Sequence, residues 1–169
     1  MEVILENGPG AVPRGARGLA AQLPITDGRT TTVSNNAVDD ILGVAHPRSA
    51  QTHAVSRVTF TDPEVGSVGL TEAQARAAGL NVRVGVADSS TSSRGWLHGA
   101  GNEGLMKLVE DADRGVLVGA SSVGPRGGDV LGLFNLAVHA SVPVAELRSM
   151  IYAYPTFYRG ALDALAALA

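Results

Sequence analysis

Between Val55 and Leu168 the spacing of apolar residues changes period several times, and each change marks an element. Val55 and the run Arg57-Val58-Thr59-Phe60 are β-rich, Asp62-Pro63 interrupts them, and Val65-Gly66-Ser67-Val68-Gly69 resumes an extended stretch, so a strand, a turn and a strand are expected. Thr71 then stands as an N-cap with Gln74 three residues on, which predicts a helix through Ala78 that stops at Gly79. From Asn81 to Val86 the period becomes two, with Val82, Val84 and Val86 on one face. Gly104 to Val109 and Val116 to Val123 flank Asp111-Ala112-Asp113-Arg114-Gly115, a turn of the kind that closes an antiparallel hairpin.

Helical spacing takes over toward the end of the chain. Val130, Phe134, Ala137 and Val138 predict a helix from about Asp129 to Ala140, and Val144 to Met150 after Pro143 reads as a shorter one. A final helix is expected from about Phe157 to Leu168, with Ala161, Leu162, Leu165 and Leu168 on one stripe. Local strands followed by helices predict an α+β fold, an antiparallel sheet with helices packed on one face.

The first 54 residues follow no such pattern and form an irregular N-terminal extension, distinct from the α+β domain at 55–169. Glu2-Val3-Ile4-Leu5 is a short strand candidate, and Gly8, Pro9, Gly10, Pro13 and Gly15 make the following stretch a loop. One short helix is expected between Ser34 and Leu42, with Val38, Ile41 and Leu42 at helical spacing and Gly43 as its stop.

Composition narrows the chemistry. Thirteen Lys and Arg against sixteen Asp and Glu give a formal charge of −3 with no run of like charges, so neither a nucleic acid nor an anionic membrane is expected as a partner. With no cysteine, the chain has no disulfide framework, thiolate metal site, iron–sulfur cluster or dithiol couple. No window reaches the roughly 18 apolar residues of a membrane span, and Glu2 follows Met1 where a leader would carry positive charge, so the cytoplasm is the expected location. Arginine supplies all but one of the cations, Lys107 being the exception; with the abundant Ala and Gly this reads as bacterial codon bias.

At Arg57-Val58-Thr59-Phe60-Thr61-Asp62-Pro63-Glu64-Val65-Gly66-Ser67-Val68-Gly69-Leu70-Thr71-Glu72 the chain resembles the opening of the C-terminal dimerisation domain of pyridine nucleotide-disulfide oxidoreductases, such as dihydrolipoamide dehydrogenase and mercuric reductase. The likeness continues through Gly104-Leu105-Met106-Lys107-Leu108-Val109, Gly119-Ala120-Ser121-Ser122-Val123-Gly124-Pro125 and Tyr154-Pro155-Thr156, covering about residues 55 to 168. More weakly, Val33 to Gly43 is similar to the end of the helix that leads into that domain. The resemblance implies the α+β fold and a two-fold homodimer in which the last helix and the Tyr154 segment share the contact.

The chain also departs from the family. In the family this domain follows a flavin domain and a nicotinamide domain, and neither fits into the 54 residues before Val55. No G-x-G-x-x-G follows a strand, and Gly8-Pro9-Gly10 is interrupted by proline, so no FAD or nicotinamide cofactor is expected. Where the family places a catalytic His supported by a Glu, this chain reads Tyr154-Pro155-Thr156 with Arg159 at the Glu position. A phenol with a pKa near ~10 does not shuttle protons at pH 7 as imidazole does.

Tyr152, Tyr154 and Tyr158, the only tyrosines, crowd into seven residues beside Phe157 and Arg159. They either fill interface volume or line a pocket in which Tyr154 and Arg159 act on an oxygen-rich ligand and Tyr152, Phe157 and Tyr158 help bind it. Ser92 to Gly99 forms a glycine-rich connection holding the only tryptophan, Trp96, and His98. It is either a mobile loop whose Trp96 shields the core edge or a lid over that pocket, with Trp96 covering the ligand and His98 as general acid or base. His139 reads as a packed, hydrogen-bonded side chain, and His46 and His53 lack a carboxylate at ligand spacing, so no metal site is expected. Asp62, Glu64 and Glu72 are ordinary turn and helix-start residues. Two functions remain open: a cofactor-free homodimer that binds, and as a cyclase or isomerase converts, a small organic molecule, or a non-catalytic dimerisation module, for example the partner of a separately encoded flavin subunit.

Overall fold

The computed structural model describes residues 53–168. The expected strand at Glu2, the loop after it, the helix near Val38 and His46 lie outside the described residues. Five strands form one antiparallel sheet: β1 Ser56–Thr59, β2 Glu64–Gly69, β3 Val82–Asp88, β4 Leu105–Asp111 and β5 Val116–Gly124, in the order β1-β2-β5-β4-β3. Each sequential pair joined by a short turn is also adjacent in space, which is how local β pattern in the sequence becomes sheet topology. The helices are α1 Glu72–Ala77, α2 Ser93–His98, α3 Gly127–His139, α4 Val144–Ser149 and α5 Ala161–Ala166, the last preceded by a 3₁₀ turn at Phe157–Gly160.

The architecture is the α+β one expected, with α3 laid across β1, β2 and β5 and α5 across β3 and β4 on one face. The register places Val68, Leu108 and Ala120 side by side on that face, all buried, under Phe134 and Leu131 of α3 and Leu165 of α5. On β3 the face turned to α5 carries Gly85. A Cβ there would collide with the carbonyl of Ala164, so glycine is what lets α5 approach the strand so closely. Val82, Val84 and Val86 therefore share the opposite face, where Val86 is half exposed.

Several boundaries differ from those expected. α1 has the full reciprocal capping box between Thr71 and Gln74. α3 begins at Gly127, two residues early, because Glu64 of β2 accepts the N–H of Gly128 at 2.9 Å and satisfies an orphan donor of its first turn. The last helix is not continuous from Phe157. Its first turn is 3₁₀, tightened where Gly160 lies under Met106, whose Cε would sit 3.1 Å from an added Cβ.

The Ser92 to Gly99 stretch is not an irregular loop. Ser92 Oγ accepts the N–H of Gly95 at 3.0 Å and donates to Ser89 O at 2.7 Å, which caps α2, and Asn102 Nδ2 donates to Gly95 O at 2.9 Å. Among the described residues no helix is long and apolar enough to cross a membrane.

Candidate functional site

α2 and the segment Tyr154 to Asp163 enclose a polar cleft of about 210 Å³, lined by Thr91, Ser92, Arg94, Tyr154, Thr156 and Arg159, among others. Asp163 supplies a carboxylate at its edge. The Tyr154–Pro155 peptide is cis, and Thr156 Oγ1 donates to Ala153 O at 2.7 Å across the bend. Tyr154 is 66% exposed, while Phe157 three residues later enters the core.

The structure separates the tyrosines into three roles. Tyr152 is buried and its hydroxyl donates to Leu147 O at 2.9 Å, closing the end of α4. Burial, and secondarily the neighbouring Tyr158, push the Tyr152 phenol above its ordinary pKa, so it stays protonated. Tyr158 is half-buried, 5.7 Å from the Tyr152 ring, and its hydroxyl accepts the N–H of Ala153 at 2.9 Å. Tyr152, Tyr158 and Phe157 thus hold the bend in place and do not line the cleft; Tyr154 alone of the three tyrosines does.

Both arginines of the cleft lie over rings. Arg159 Cζ is 5.3 Å from the centre of Tyr154, and Arg94 Cζ is 5.5 Å from the centre of Phe157. That Arg94 lines the cleft was not apparent from the sequence, where it belonged to an apparent loop; the capping serine two residues before it was the available signal.

His98 also meets Phe157, ring centres 5.5 Å apart in an edge-to-face contact, and lies outside the cleft lining. Trp96 is 78% exposed and shields neither the core nor the cleft. His139 is exposed in the last turn of α3 rather than packed, and its ring stacks on His53 at 5.8 Å. Among the described residues no group of three His, Asp or Glu could hold a metal ion. Glu72 joins no acid pair; it accepts hydrogen bonds from Lys107 at 2.9 Å and from Arg76 at 3.1 Å.

A five-stranded antiparallel sheet with helices packed on one face matches the architecture expected from the resemblance to the oxidoreductase dimerisation domain. Residues 55–164 match the family model described as the pyridine nucleotide-disulphide oxidoreductase dimerisation domain, and the chain belongs to that family. It is 41% identical over 114 residues to a dihydrolipoyl dehydrogenase of Thermus scotoductus, covering 68% of this chain and 24% of that protein. Over 118 residues it is 33% identical to the dihydrolipoyl dehydrogenase of Halobacterium salinarum, covering 70% of this chain and 25% of the relative. The chain thus spans about a quarter of the length of these relatives. Among solved structures, LpdA of Mycobacterium tuberculosis shares the fold with a TM-score of 0.73 at 21% identity, covering 86% of this chain and 31% of LpdA. The flavoprotein disulfide reductase RclA of Escherichia coli has the same score at 22% identity, covering 88% of this chain and 34% of RclA.

Proposed function

We propose that this domain is a non-catalytic interaction module that joins two copies of the chain. The observation that carries this reading is the surface around the aromatic bend. Ile151 is 98% exposed, and Met150 beside it, Tyr154 in the cleft lining, and Trp96 and Leu97 of α2 also stand in solvent. Large apolar side chains gathered near one feature are what a partner surface covers. Tyr154 and Arg159 support the non-catalytic part, since they form a stacked phenol and guanidinium and not a hydrogen-bonded acid and base.

The test is sedimentation velocity on the full chain at micromolar concentration, with Ile151→Asp and Trp96→Glu beside the parent. The expected parent is a two-fold dimer. Ile151→Asp weakens it by about ten- to a hundredfold, the loss of one buried aliphatic side chain of roughly 1.5–3 kcal/mol, without changing the melting temperature of the separated subunits. A parent that stays monomeric across the concentration range sinks the reading; a parent that dimerises only with an added flavoprotein moves it to a hetero-complex.

The cleft favours a second reading, in which the dimer binds a small organic molecule and acts on it as a cyclase or isomerase. Such a catalyst would hold one reactive conformer and exclude water, and Arg159 would stabilise developing negative charge. Turnover of a candidate substrate that persists unchanged in Tyr154→Phe and Arg159→Ala would remove the second reading.

A further inference from the structure

We propose that the cleft between α2 and the Tyr154 segment is a binding site for a small oxyanion, a carboxylate or a phosphate group, gripped by Arg94 and Arg159 together. The inference rests on the second reading above, that the cleft takes a small molecule, and adds the chemical class of that molecule. It is independent of dimerisation.

Two guanidinium groups from separate elements line one cavity, and only one carboxylate, Asp163, lies with them. Among the described residues neither Arg94 nor Arg159 forms an ion pair, although the ion pairs of Arg76, Arg83, Arg114 and Arg126 show that the surface offers acidic partners elsewhere. Each guanidinium is instead laid over a ring, Arg94 over the buried Phe157 and Arg159 over Tyr154. Stacking restrains the planar group while leaving its N–H edge unspent, which is the arrangement that presents a fork to two oxygens of an anion.

The remaining lining fits the same ligand. Thr91 Oγ1, Ser92 Oγ and Thr156 Oγ1 already donate to the carbonyls of Asp88, Ser89 and Ala153, so they fix the walls. The Ser93 hydroxyl, also in the lining, donates to none of the described partners and can turn toward a ligand oxygen. At about 210 Å³ the cleft is smaller than the roughly 300–1,000 Å³ that encloses a drug-sized ligand, which suits a compact anionic group and not a dinucleotide. With two cations against one carboxylate, an anion is favoured over a cation.

The test is calorimetric titration of the full chain with inorganic phosphate and, separately, with citrate, at constant ionic strength set by chloride. The parent, Arg94→Gln, Arg159→Gln and, as control, Arg126→Gln are compared after circular dichroism confirms that each is folded. The expected result is saturable binding of one anion per chain by phosphate, citrate or both. Arg94→Gln and Arg159→Gln each weaken it by about tenfold or more, as loss of a charge-assisted pair does, and Arg126→Gln behaves as the parent. Phosphate alone binding assigns a phosphate group, and citrate alone a carboxylate. No saturation by either anion in the parent overturns the proposal, as does unchanged affinity in both cleft variants. Sedimentation of the same samples keeps this outcome separate from the interaction-module reading, and turnover in the cleft variants keeps it separate from the catalytic one.

Discussion

The guanidinium of Arg159 lies 5.3 Å from the centre of the Tyr154 ring, a stacked pair at the two positions where the resemblance to disulfide oxidoreductases implies a histidine and a glutamate. The exchange keeps an interacting pair but changes its chemistry: a hydrogen-bonded acid and base would move a proton, whereas a stacked cation and phenol hold shape and positive charge. With Tyr154 largely exposed, the pair contributes little to folding. Arg159→Ala is therefore expected to lower stability by under about 1 kcal/mol, a small shift in the thermal melt. A collapse of the melt would mean that Arg159 is part of the core.

The last helix gives a sharper contrast. Ala161, Ala164 and Leu165 are all at or below 1% exposure within one chain and α5 packs on β3 and β4, so these residues are core. Leu165→Asp should unfold the domain, because it removes a buried aliphatic side chain and drives a carboxylate into the apolar core. Circular dichroism will separate the outcomes: a folded monomer would place the stripe at an interface instead.

Gly85→Ala tests how close α5 comes to the sheet. The added methyl group would meet the Ala164 carbonyl and the Leu168 backbone, and backbone cannot swing aside as a side chain does. A cost of about 1–3 kcal/mol or more is expected in urea denaturation, against near neutrality for Gly132→Ala, where open space surrounds the new methyl group.

Much of this fold was legible because its contacts are local in sequence. The turn between β4 and β5 and the capping box of α1 follow from residues within five positions of one another. Ser92 was legible in the same way, yet the glycines at 95 and 99 made the stretch read as a loop; Gly95 is in fact required, since a Cβ there would strike the carbonyls of Ser89 and Ser90. The site was half legible. Clustered tyrosines marked the bend, but sequence proximity could not show that Tyr152 and Tyr158 spend their hydroxyls on the backbone while Tyr154 turns out. Long-range partners such as Lys107 for Glu72 and Gly128 for Glu64 leave no local pattern at all.

Glu72 predicts a modest pH dependence. Its hydrogen bonds from Lys107 and then Arg76 hold its pKa below the ordinary value of 4.5, against a smaller opposing effect of burial. A carboxylate whose pKa is depressed on folding contributes stability that is fully present above its unfolded pKa and is lost as pH falls through the folded one. The pair is partly exposed, so the contribution is under about 1 kcal/mol. Lys107→Met should flatten the acid limb of the stability curve below about pH 4.5 without changing stability near pH 7 by more than that amount; an acid limb identical to the parent's would remove Glu72 as its source.

Glu64 links β2 to the start of α3 across sixty-four residues of sequence: its Oε2 accepts the N–H of Gly128 at 2.9 Å, while Arg126 at the N-cap offers no side-chain bond of its own. The carboxylate thus does for α3 what a capping aspartate does from within a chain, and it brings negative charge to the positive end of a thirteen-residue helix. Glu64→Ala should cost about 0.5–2 kcal/mol. Glu64→Gln keeps an acceptor and loses only the charge, about 0.3–1 kcal/mol. Gly128→Ala acts on the same junction from the other side, since its methyl group would crowd Val58 at 3.0 Å and Glu64 Oε2 at 3.2 Å. If the two residues form one cap, the double variant will lose less than the sum of the single losses in urea denaturation, because the second change has no bond left to break. Strict additivity would show instead that each substitution acts through its own packing, and that α3 starts at Gly127 for a reason other than this bond.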